Sequence, residues 1–265
     1  MRKGLVFIFA VAFLSGCFQM DAEPSEKAAS FVDEKRGSVL IAKETIELKS
    51  QEEVSKNVSG IEAETGLFIV DNPTSYQVYI NKNRRLPEGY TPLDLVEPKV
   101  THLAARGDDR RLLRAESASK LEELFEAAQE DGIDLVAVSG YRSHQRQATI
   151  YQSHVARNGQ EYADRFSARP GTSEHETGLT IDVSAASVAF ALEQAFRDTT
   201  EGSWLAENAH LYGFIIRYPE GKEAITGYAY EPWHLRYVGE ELAQHLYEEE
   251  LTLEEYFGYH YELND

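Results

Sequence analysis

Two segments, well separated in the chain, each combine a histidine with carboxylates, and together they constrain the fold more than any other feature. Residues 167–182 read Ser-Ala-Arg-Pro-Gly-Thr-Ser-Glu-His-Glu-Thr-Gly-Leu-Thr-Ile-Asp, and residues 231–234 read Glu-Pro-Trp-His. Gly178 permits a sharp reversal, and the Leu-Thr-Ile run before Asp182 predicts a strand. His175 and Asp182 can therefore face one cleft.

Convergence of the two segments predicts a metal site. His234 would join His175 and Asp182 as a third ligand. Two imidazoles and one carboxylate, with a position left for water, form the ligand set typical of catalytic zinc. Glu231, three residues before His234, is then available as the base that takes a proton from that water.

Each residue of the predicted metal site, taken alone, has an ordinary structural explanation. A single histidine near a glycine-rich turn is commonly a surface or core residue, and Asp182 could cap the segment that follows it. A serine-type triad of Ser173, His175 and Asp182 is a formal alternative, although no nucleophile-elbow sequence surrounds the serine. The metal interpretation is favoured because the chain has only 8 histidines, and two turn-rich segments each pair one with carboxylates.

Four sequence blocks resemble those of a known enzyme family. They are residues 139–143 (Ser-Gly-Tyr-Arg-Ser), residues 173–182, residues 212–214 with 217–219 (Tyr-Gly-Phe and Arg-Tyr-Pro), and residues 231–239 (Glu-Pro-Trp-His-Leu-Arg-Tyr-Val-Gly). In this order they resemble the VanY-type D-alanyl-D-alanine carboxypeptidases and their L,D-carboxypeptidase relatives. The resemblance extends from about residue 66 to residue 249 and implies the zinc D,D-peptidase fold, which is hedgehog-like.

The resemblance gives a role to each residue of the predicted metal site. In the family, zinc is held by the His and Asp of SxHxxGxxxD and by the last His of ExxH. These positions are His175, Asp182 and His234 here, and the family's general base falls on Glu231. No ligand position departs from the pattern, so the resemblance implies a member that binds zinc.

A carboxypeptidase must also recognise a free terminal carboxylate, which a planar guanidinium can bind through two parallel hydrogen bonds. Arg142, in a tight Gly-Tyr-Arg-Ser turn after a predicted strand, is the candidate for this role. The resemblance adds Gln147 and Ser167 as substrate contacts. Alternatively, Arg142 could form a structural pair with an acidic neighbour, and Gln147 could be a solvent-facing helix residue.

The activity implied by the resemblance is zinc-dependent removal of the terminal D-alanine from peptidoglycan stem peptides or their precursors. L,D-Carboxypeptidase action on tetrapeptide stems is the alternative, with the same metal chemistry and a differently shaped pocket. A non-catalytic muropeptide-binding lipoprotein is a third interpretation. The complete ligand set and Glu231 argue against it.

Residues 1–16 resemble the signal peptide of a bacterial lipoprotein, ending before Cys17, the only cysteine. Arg2 and Lys3 precede an apolar run, and Leu-Ser-Gly-Cys at residues 14–17 resembles a lipobox. The apolar run is well short of the ~20 residues that a membrane-spanning helix needs. We therefore expect an extracytoplasmic protein, anchored to the bacterial cell membrane through a lipid on Cys17.

Composition separates a tether from a folded domain. Residues 17–65 are rich in Glu, Lys, Ser, Ala and Asp without a sustained period, which predicts a flexible charged tether. Residues 66–265 are then the carboxypeptidase domain. The chain has 26 basic and 45 acidic residues and a net charge of −19, which argues against nucleic acid as a partner. The same charge disfavours unaided binding to an anionic lipid surface.

Periodicity predicts an α+β fold with helices around a small antiparallel sheet. Helices are predicted at residues 110–130, 145–157, 186–197, 203–212 and 240–249. Strands are predicted at residues 67–70, 76–80, 133–138, 214–216 and 233–238. The strand at 133–138 would deliver Arg142 to the site.

Overall fold

The structure, a computed structural model, describes residues 59–258, apart from the side chains of residues 165–166. The predicted signal peptide (residues 1–16), Cys17 and most of the predicted tether lie outside the described residues, as does the end of the C-terminal tail. Within the described range, no helix combines the length and the apolar character needed to cross a membrane.

The described part of the chain contains seven α-helices and nine short strands, joined by loops and 3-10 turns. The helices are α1 (Ala115–Glu130), α2 (His144–Asn158), α3 (Gln160–Phe166), α4 (Thr200–Asn208), α5 (Glu223–Thr226), α6 (Glu240–Glu248) and α7 (Leu253–Phe257). The strands are β1 (Gly60–Ile61), β2 (Phe68–Ile69), β3 (Arg84–Arg85), β4 (Leu95–Val96), β5 (Leu113–Arg114), β6 (Val136–Ser139), β7 (Thr180–Ser184), β8 (Phe214–Ile216) and β9 (His234–Tyr237).

A four-stranded antiparallel sheet carries the site. Its strand order is β6-β7-β9-β8, and two smaller sheets consist of β1-β2-β3 and β4-β5. In the pairing of β7 with β9, Asp182 lies directly opposite His234. Opposed residues of antiparallel strands project to the same face, so the register itself brings these two side chains together. The predicted α+β fold with a small antiparallel sheet is confirmed.

Helix α1 packs its apolar side against this sheet. The buried residues on that side recur at a spacing of three and four: Ala118, Leu121, Leu124 and Ala128. They belong to the same core cluster as Ile181, Val183 and Leu235 from β7 and β9. The helix begins later than predicted because Leu113 and Arg114 pair with β4 instead.

The predicted strand at residues 76–80 is wrong. The segment is irregular, although Val78, Tyr79 and Ile80 are buried. Arginine side chains, instead of a neighbouring strand, satisfy its carbonyl groups: Arg236 Nη2 donates to Val78 O at 2.5 Å, and Arg84 Nε donates to Tyr79 O at 3.0 Å. Alternating apolar residues thus marked a buried segment, while side-chain donors replaced the strand ladder.

The predicted helix at residues 186–197 is also wrong. Two short 3-10 helices, Ala186–Val188 and Gln194–Asp198, occupy this stretch. Between them Ala189 and Phe190 have φ values of 52° and 61°, in the left-handed region that interrupts a helix. Helical periodicity in the sequence did not reveal this break.

The folded part begins before residue 66. Gly60 and Ile61, which were predicted to lie in the tether, pair with β2 as strand β1. At the other end, α7 packs against the domain through Leu253 and Phe257, both buried. The folded part therefore begins earlier than predicted, and α7 lies within the predicted domain of residues 66–265.

Candidate metal centre and substrate pocket

The structure brings His175, Asp182 and His234 together. His175 lies on the 3-10 helix Glu174–Thr177, Asp182 lies in the middle of β7, and His234 begins β9. One ligand atom from each of the three lies within 4.8 Å of the others, and all three side chains are buried. Three possible metal ligands from two distant segments thus converge, as the sequence predicts.

A backbone carbonyl fixes the orientation of His175. Its Nδ1–H donates to Gly140 O at 2.8 Å, which turns Nε2 towards Asp182 Oδ2, 3.4 Å away. Burial and the nearby guanidinium of Arg142 lower the pKa of His175 to about 3, so the imidazole is neutral. With Nδ1 committed to Gly140, the ring cannot bridge Ser173 and Asp182 as a serine triad would require.

Only glycine fits at position 140. A Cβ there would lie 2.5 Å from Leu112 O and 3.0 Å from Arg110 O. The backbone amides of Gly140 and Tyr141 donate to these same two carbonyls, at 2.6 and 2.7 Å. The turn after β6 is therefore clamped by backbone contacts, and it presents its own carbonyl to His175.

Carboxylates surround His234. Its Nδ1 lies 3.3 Å from Asp182 Oδ1 and 3.3 Å from Glu231 Oε2. Burial opposes a charged imidazole, but Asp182, Glu174 and Glu231 together raise the pKa of His234 well above its ordinary value. The negative field at this point favours a cation.

The donor atoms fit a metal ion. Asp182 Oδ1 is buried and accepts no hydrogen bond from the described residues. Burial would raise the pKa of Asp182, but the two histidines outweigh it and lower that pKa, so the side chain remains a carboxylate. A buried anionic oxygen without a donor, beside two imidazole nitrogens, matches the mixed nitrogen and oxygen set that zinc prefers.

These residues line a pocket of about 220 Å³. Metal-site residues lie along one part of its wall, and Arg142, Gln147 and Ser167 lie along another. Every predicted site residue of the described chain therefore borders one cavity. The structure brings all of them together.

Gln147 holds the guanidinium of Arg142. Arg142 Nη1 donates to Gln147 Oε1 at 2.9 Å, and Gln147 Nε2 donates to Ala168 O at 2.6 Å. Gln147 is 1% exposed, so the solvent-facing alternative for this residue is wrong. Ser167, the C-cap of α3, is buried beside Ala168.

Part of the pocket wall was not predicted from the sequence. Tyr218 and Tyr228 stack with ring centroids 4.4 Å apart, and the Tyr218 ring lies 4.8 Å from that of His234. Tyr218 belongs to the Arg-Tyr-Pro block, which was a usable signal, whereas no motif pointed to Tyr228. Trp233 lines the pocket and also packs against the core.

Comparison with known proteins agrees with this geometry. The family model described as D-alanyl-D-alanine carboxypeptidase, VanY, matches residues 110–240. YodJ of Bacillus subtilis (strain 168), named as a carboxypeptidase, is 45% identical over 203 residues, which cover 77% of this chain and 74% of YodJ.

Two solved structures share the fold. The LD-carboxypeptidase LdcB, reported with its peptidoglycan recognition, has a TM-score of 0.74 and 44% identity, covering 79% of this chain and 98% of LdcB. A variant of the vancomycin-resistance D,D-pentapeptidase VanY in complex with Zn(II) has a TM-score of 0.56 and 33% identity, covering 68% of this chain and 98% of that one. With the family match and the converging ligand residues, these likenesses establish that the chain belongs to the VanY family of D-alanyl-D-alanine carboxypeptidases.

Proposed function

We propose that this protein is a zinc-dependent D-alanyl-D-alanine carboxypeptidase that removes the C-terminal D-alanine from peptidoglycan stem peptides or their precursors. One observation carries the proposal. A buried set of two imidazoles and a carboxylate shares a single pocket with the guanidinium of Arg142. A carboxypeptidase needs these two elements together, one at the scissile bond and one at the terminal carboxylate.

His175, Asp182 and His234 would hold the zinc ion. Zinc, when bound, supplies a Lewis acid for the peptide carbonyl and lowers the pKa of water. The chain prepares the ligands for this role. Gly140 fixes the hydrogen of His175 on Nδ1, which leaves Nε2 with a lone pair, and Asp182 Oδ1 has no competing donor within the described residues.

Glu231 is proposed as the general base. Its side chain is 26% exposed, so it borders both the pocket and solvent, and its Oε2 lies 3.3 Å from His234 Nδ1. The carboxylate would take a proton from the attacking water and pass it to the amine of the departing D-alanine. A hydrogen bond from the Glu231 amide to Tyr218 O, at 3.0 Å, fixes the backbone at this residue.

Arg142 is proposed to bind the terminal carboxylate of the substrate. Within the described chain its side chain forms a hydrogen bond to Gln147 and no ion pair. Gln147 and Ser167 are proposed as further substrate contacts. Because only one of its nitrogens is bound by the neutral amide, the guanidinium keeps donors available for a substrate carboxylate. A guanidinium paired with a protein carboxylate would have these donors occupied.

L,D-Carboxypeptidase action on tetrapeptide stems is the second candidate. The observation that favours it is the likeness to LdcB, which is higher in both TM-score and identity than the likeness to the VanY zinc complex. Both reactions use the same metal site and terminal carboxylate. They differ in the configuration of the residue that precedes the scissile bond.

One experiment separates these candidates. The purified domain is incubated with pentapeptide and tetrapeptide stems, with and without a chelator, and the released residue is identified by mass. Release of D-alanine from the pentapeptide supports D,D-activity, and release from the tetrapeptide alone supports L,D-activity. Binding without any zinc-dependent release would instead favour a non-catalytic reader of muropeptides.

We also propose that a lipid on Cys17 anchors the enzyme at the outer face of the bacterial cell membrane. The support is the charged, then apolar, then Leu-Ser-Gly-Cys order of residues 2–17. Cys17→Ser should leave the protein uncleaved or shed from the membrane fraction. Unaltered protein found wholly in the soluble fraction with Met1 intact would contradict the anchor.

A further inference from the structure

Four fully buried charged side chains form a cluster behind the metal centre. The buried charge cluster consists of Glu174, Arg217, Arg236 and Glu254. Glu174 Oε1 accepts from Arg217 Nε at 2.8 Å and from Arg236 Nη1 at 2.7 Å. Arg217 also donates to both oxygens of Glu254 on α7, at 2.7 Å each. Side chains of all four have 0% exposure.

The second oxygen of Glu174 faces a metal ligand. Glu174 Oε2 lies 3.7 Å from His234 Nε2, within ion-pair distance. Both atoms are buried, and neither has a hydrogen-bond partner among the described residues. On the other side of the ring, His234 Nδ1 faces Asp182 and Glu231. Glu174 therefore stands at the end of the imidazole that points away from the metal position.

The ionisation state of Glu174 determines whether its second oxygen can donate a hydrogen bond or only accept one. Two arginine donors on the same carboxylate stabilise the ionised form, and an ionised carboxylate can only accept hydrogen bonds. Facing it, His234 Nε2 is best satisfied as N–H. A neutral imidazole with hydrogen on Nε2 has its lone pair on Nδ1, the nitrogen directed at Asp182.

We propose that Glu174 is a positioning residue that selects the metal-binding tautomer of His234. The proposal rests on the zinc site of the proposed function. It extends the site beyond the three ligands to a buried carboxylate that Arg217 and Arg236 hold in place.

The cluster could instead serve only to hold the fold together, since Arg236 also donates to the carbonyl groups of Tyr76 and Val78. The two roles differ at Glu174. A structural role makes Glu174 and Glu254 equivalent as partners of Arg217. A positioning role makes Glu174 special, because it alone of the two contacts His234.

Glu174→Gln and Glu254→Gln are a matched pair. Each leaves the cluster with two arginines and one glutamate, so the residual charge is the same. In Glu174→Gln, the amide oxygen would stay with the two arginines, and the NH2 group would face His234 Nε2. Two donors cannot face each other, so the imidazole would move its hydrogen to Nδ1, the nitrogen needed for the metal.

The first measurement is zinc affinity of the full chain, by competition with a chromophoric chelator, together with the Tm of the metal-free proteins. We expect Glu174→Gln to lose roughly 10- to 100-fold in zinc affinity, the usual cost of removing a partner of a metal-binding histidine. Glu254→Gln should keep an affinity close to that of the unaltered protein, although its Tm falls. Equal losses of affinity in the two variants would overturn the proposal.

The second measurement uses the unaltered protein and does not depend on how any variant folds. In zinc-loaded protein labelled with 15N-histidine, the Nε2–H proton of His234 should be visible by NMR and slow to exchange. Its absence would overturn the tautomer assignment. If the unaltered protein bound no zinc, the proposed function would fail instead, so the two failures are distinguishable.

Discussion

The two ends of the pocket are built in different ways. The proposed metal end, comprising His175, Asp182 and His234, is fixed by the backbone: β7 and β9 carry two of the proposed ligands, and a carbonyl from the turn after β6 orients the third. The proposed substrate end, comprising Arg142, Gln147 and Ser167, lies on a loop, α2 and the end of α3. There, the side chain of Gln147 holds that of Arg142.

This difference suggests that the metal end determines the chemistry and that the substrate end determines which peptide is accepted. Strand pairing fixes Asp182 opposite His234, so the relative position of these two side chains cannot change without disturbing the sheet. At the proposed substrate end, we expect substitutions to alter which stem peptide is accepted while zinc binding persists. We therefore expect changes at the metal end to abolish metal binding, and changes at the substrate end to alter kcat/KM with zinc retained.

The largest expected effect is loss of the metal. His175→Ala, Asp182→Ala or His234→Ala should each remove most bound zinc, because three protein ligands leave no redundancy. Zinc content after gel filtration provides the measurement. His245→Ala, on α6 and outside the pocket, is the matched histidine control and should bind zinc normally. Stoichiometric zinc in a single ligand variant would show that the ligand set is wrong.

Glu231→Gln should lower the turnover rate without removing zinc from the metal end. We expect zinc to be retained while turnover falls by a factor of roughly 10² to 10⁴, the usual contribution of a positioned base. Zinc stoichiometry and kcat on the same preparation test this. A near-normal rate, or a metal-free variant, would contradict the assigned role.

Arg142→Ala should lower kcat/KM by roughly 10- to 100-fold with zinc retained, because a charged hydrogen bond contributes about 1.5–3 kcal/mol. Arg142→Lys keeps the charge but loses the two-pronged geometry and should also be impaired, though less. Arg146→Ala, on the neighbouring helix, is the control for general loss of positive charge.

A substrate with an amidated C-terminus tests whether Arg142 binds the terminal carboxylate. Converting the terminal carboxylate to an amide should cost the unaltered enzyme far more than it costs Arg142→Ala, which has already lost that interaction. Equal losses from amidation in the two enzymes would remove Arg142 from carboxylate recognition.

The smallest effect is expected at Gln147. Gln147→Ala removes the hydrogen bond that holds Arg142, worth about 1 kcal/mol, or roughly fivefold in kcat/KM. Gln145→Ala, an exposed position on the same helix, should have no effect. If the Gln147 variant lost zinc, the two ends of the pocket would be coupled, and the separation proposed above would fail.

Sequence patterns predicted the metal end more fully than its surroundings. The spacing of His175, Asp182 and His234 is local to two motifs, so it could be recognised without the fold. The burial of Gln147 and the role of Tyr228 in the pocket wall depend on packing between distant segments. Glu174 was visible only as a neighbour of a ligand, because its contacts with Arg217 and Arg236 exist only after β8 and β9 pair.

The direct opposition of Asp182 and His234 in the β7–β9 pairing also limits how the chain can change in length. Side chains alternate faces along a strand, so deleting one residue within β7 ahead of Asp182 would turn the carboxylate to the opposite face. Deleting two would restore the face but displace the carboxylate by about 6.6–6.8 Å along the strand. Insertions in the long connection between β7 and β8 leave the pairing untouched. Over evolutionary time, gaps should therefore accumulate in that connection and be absent from the two strands that carry these ligands.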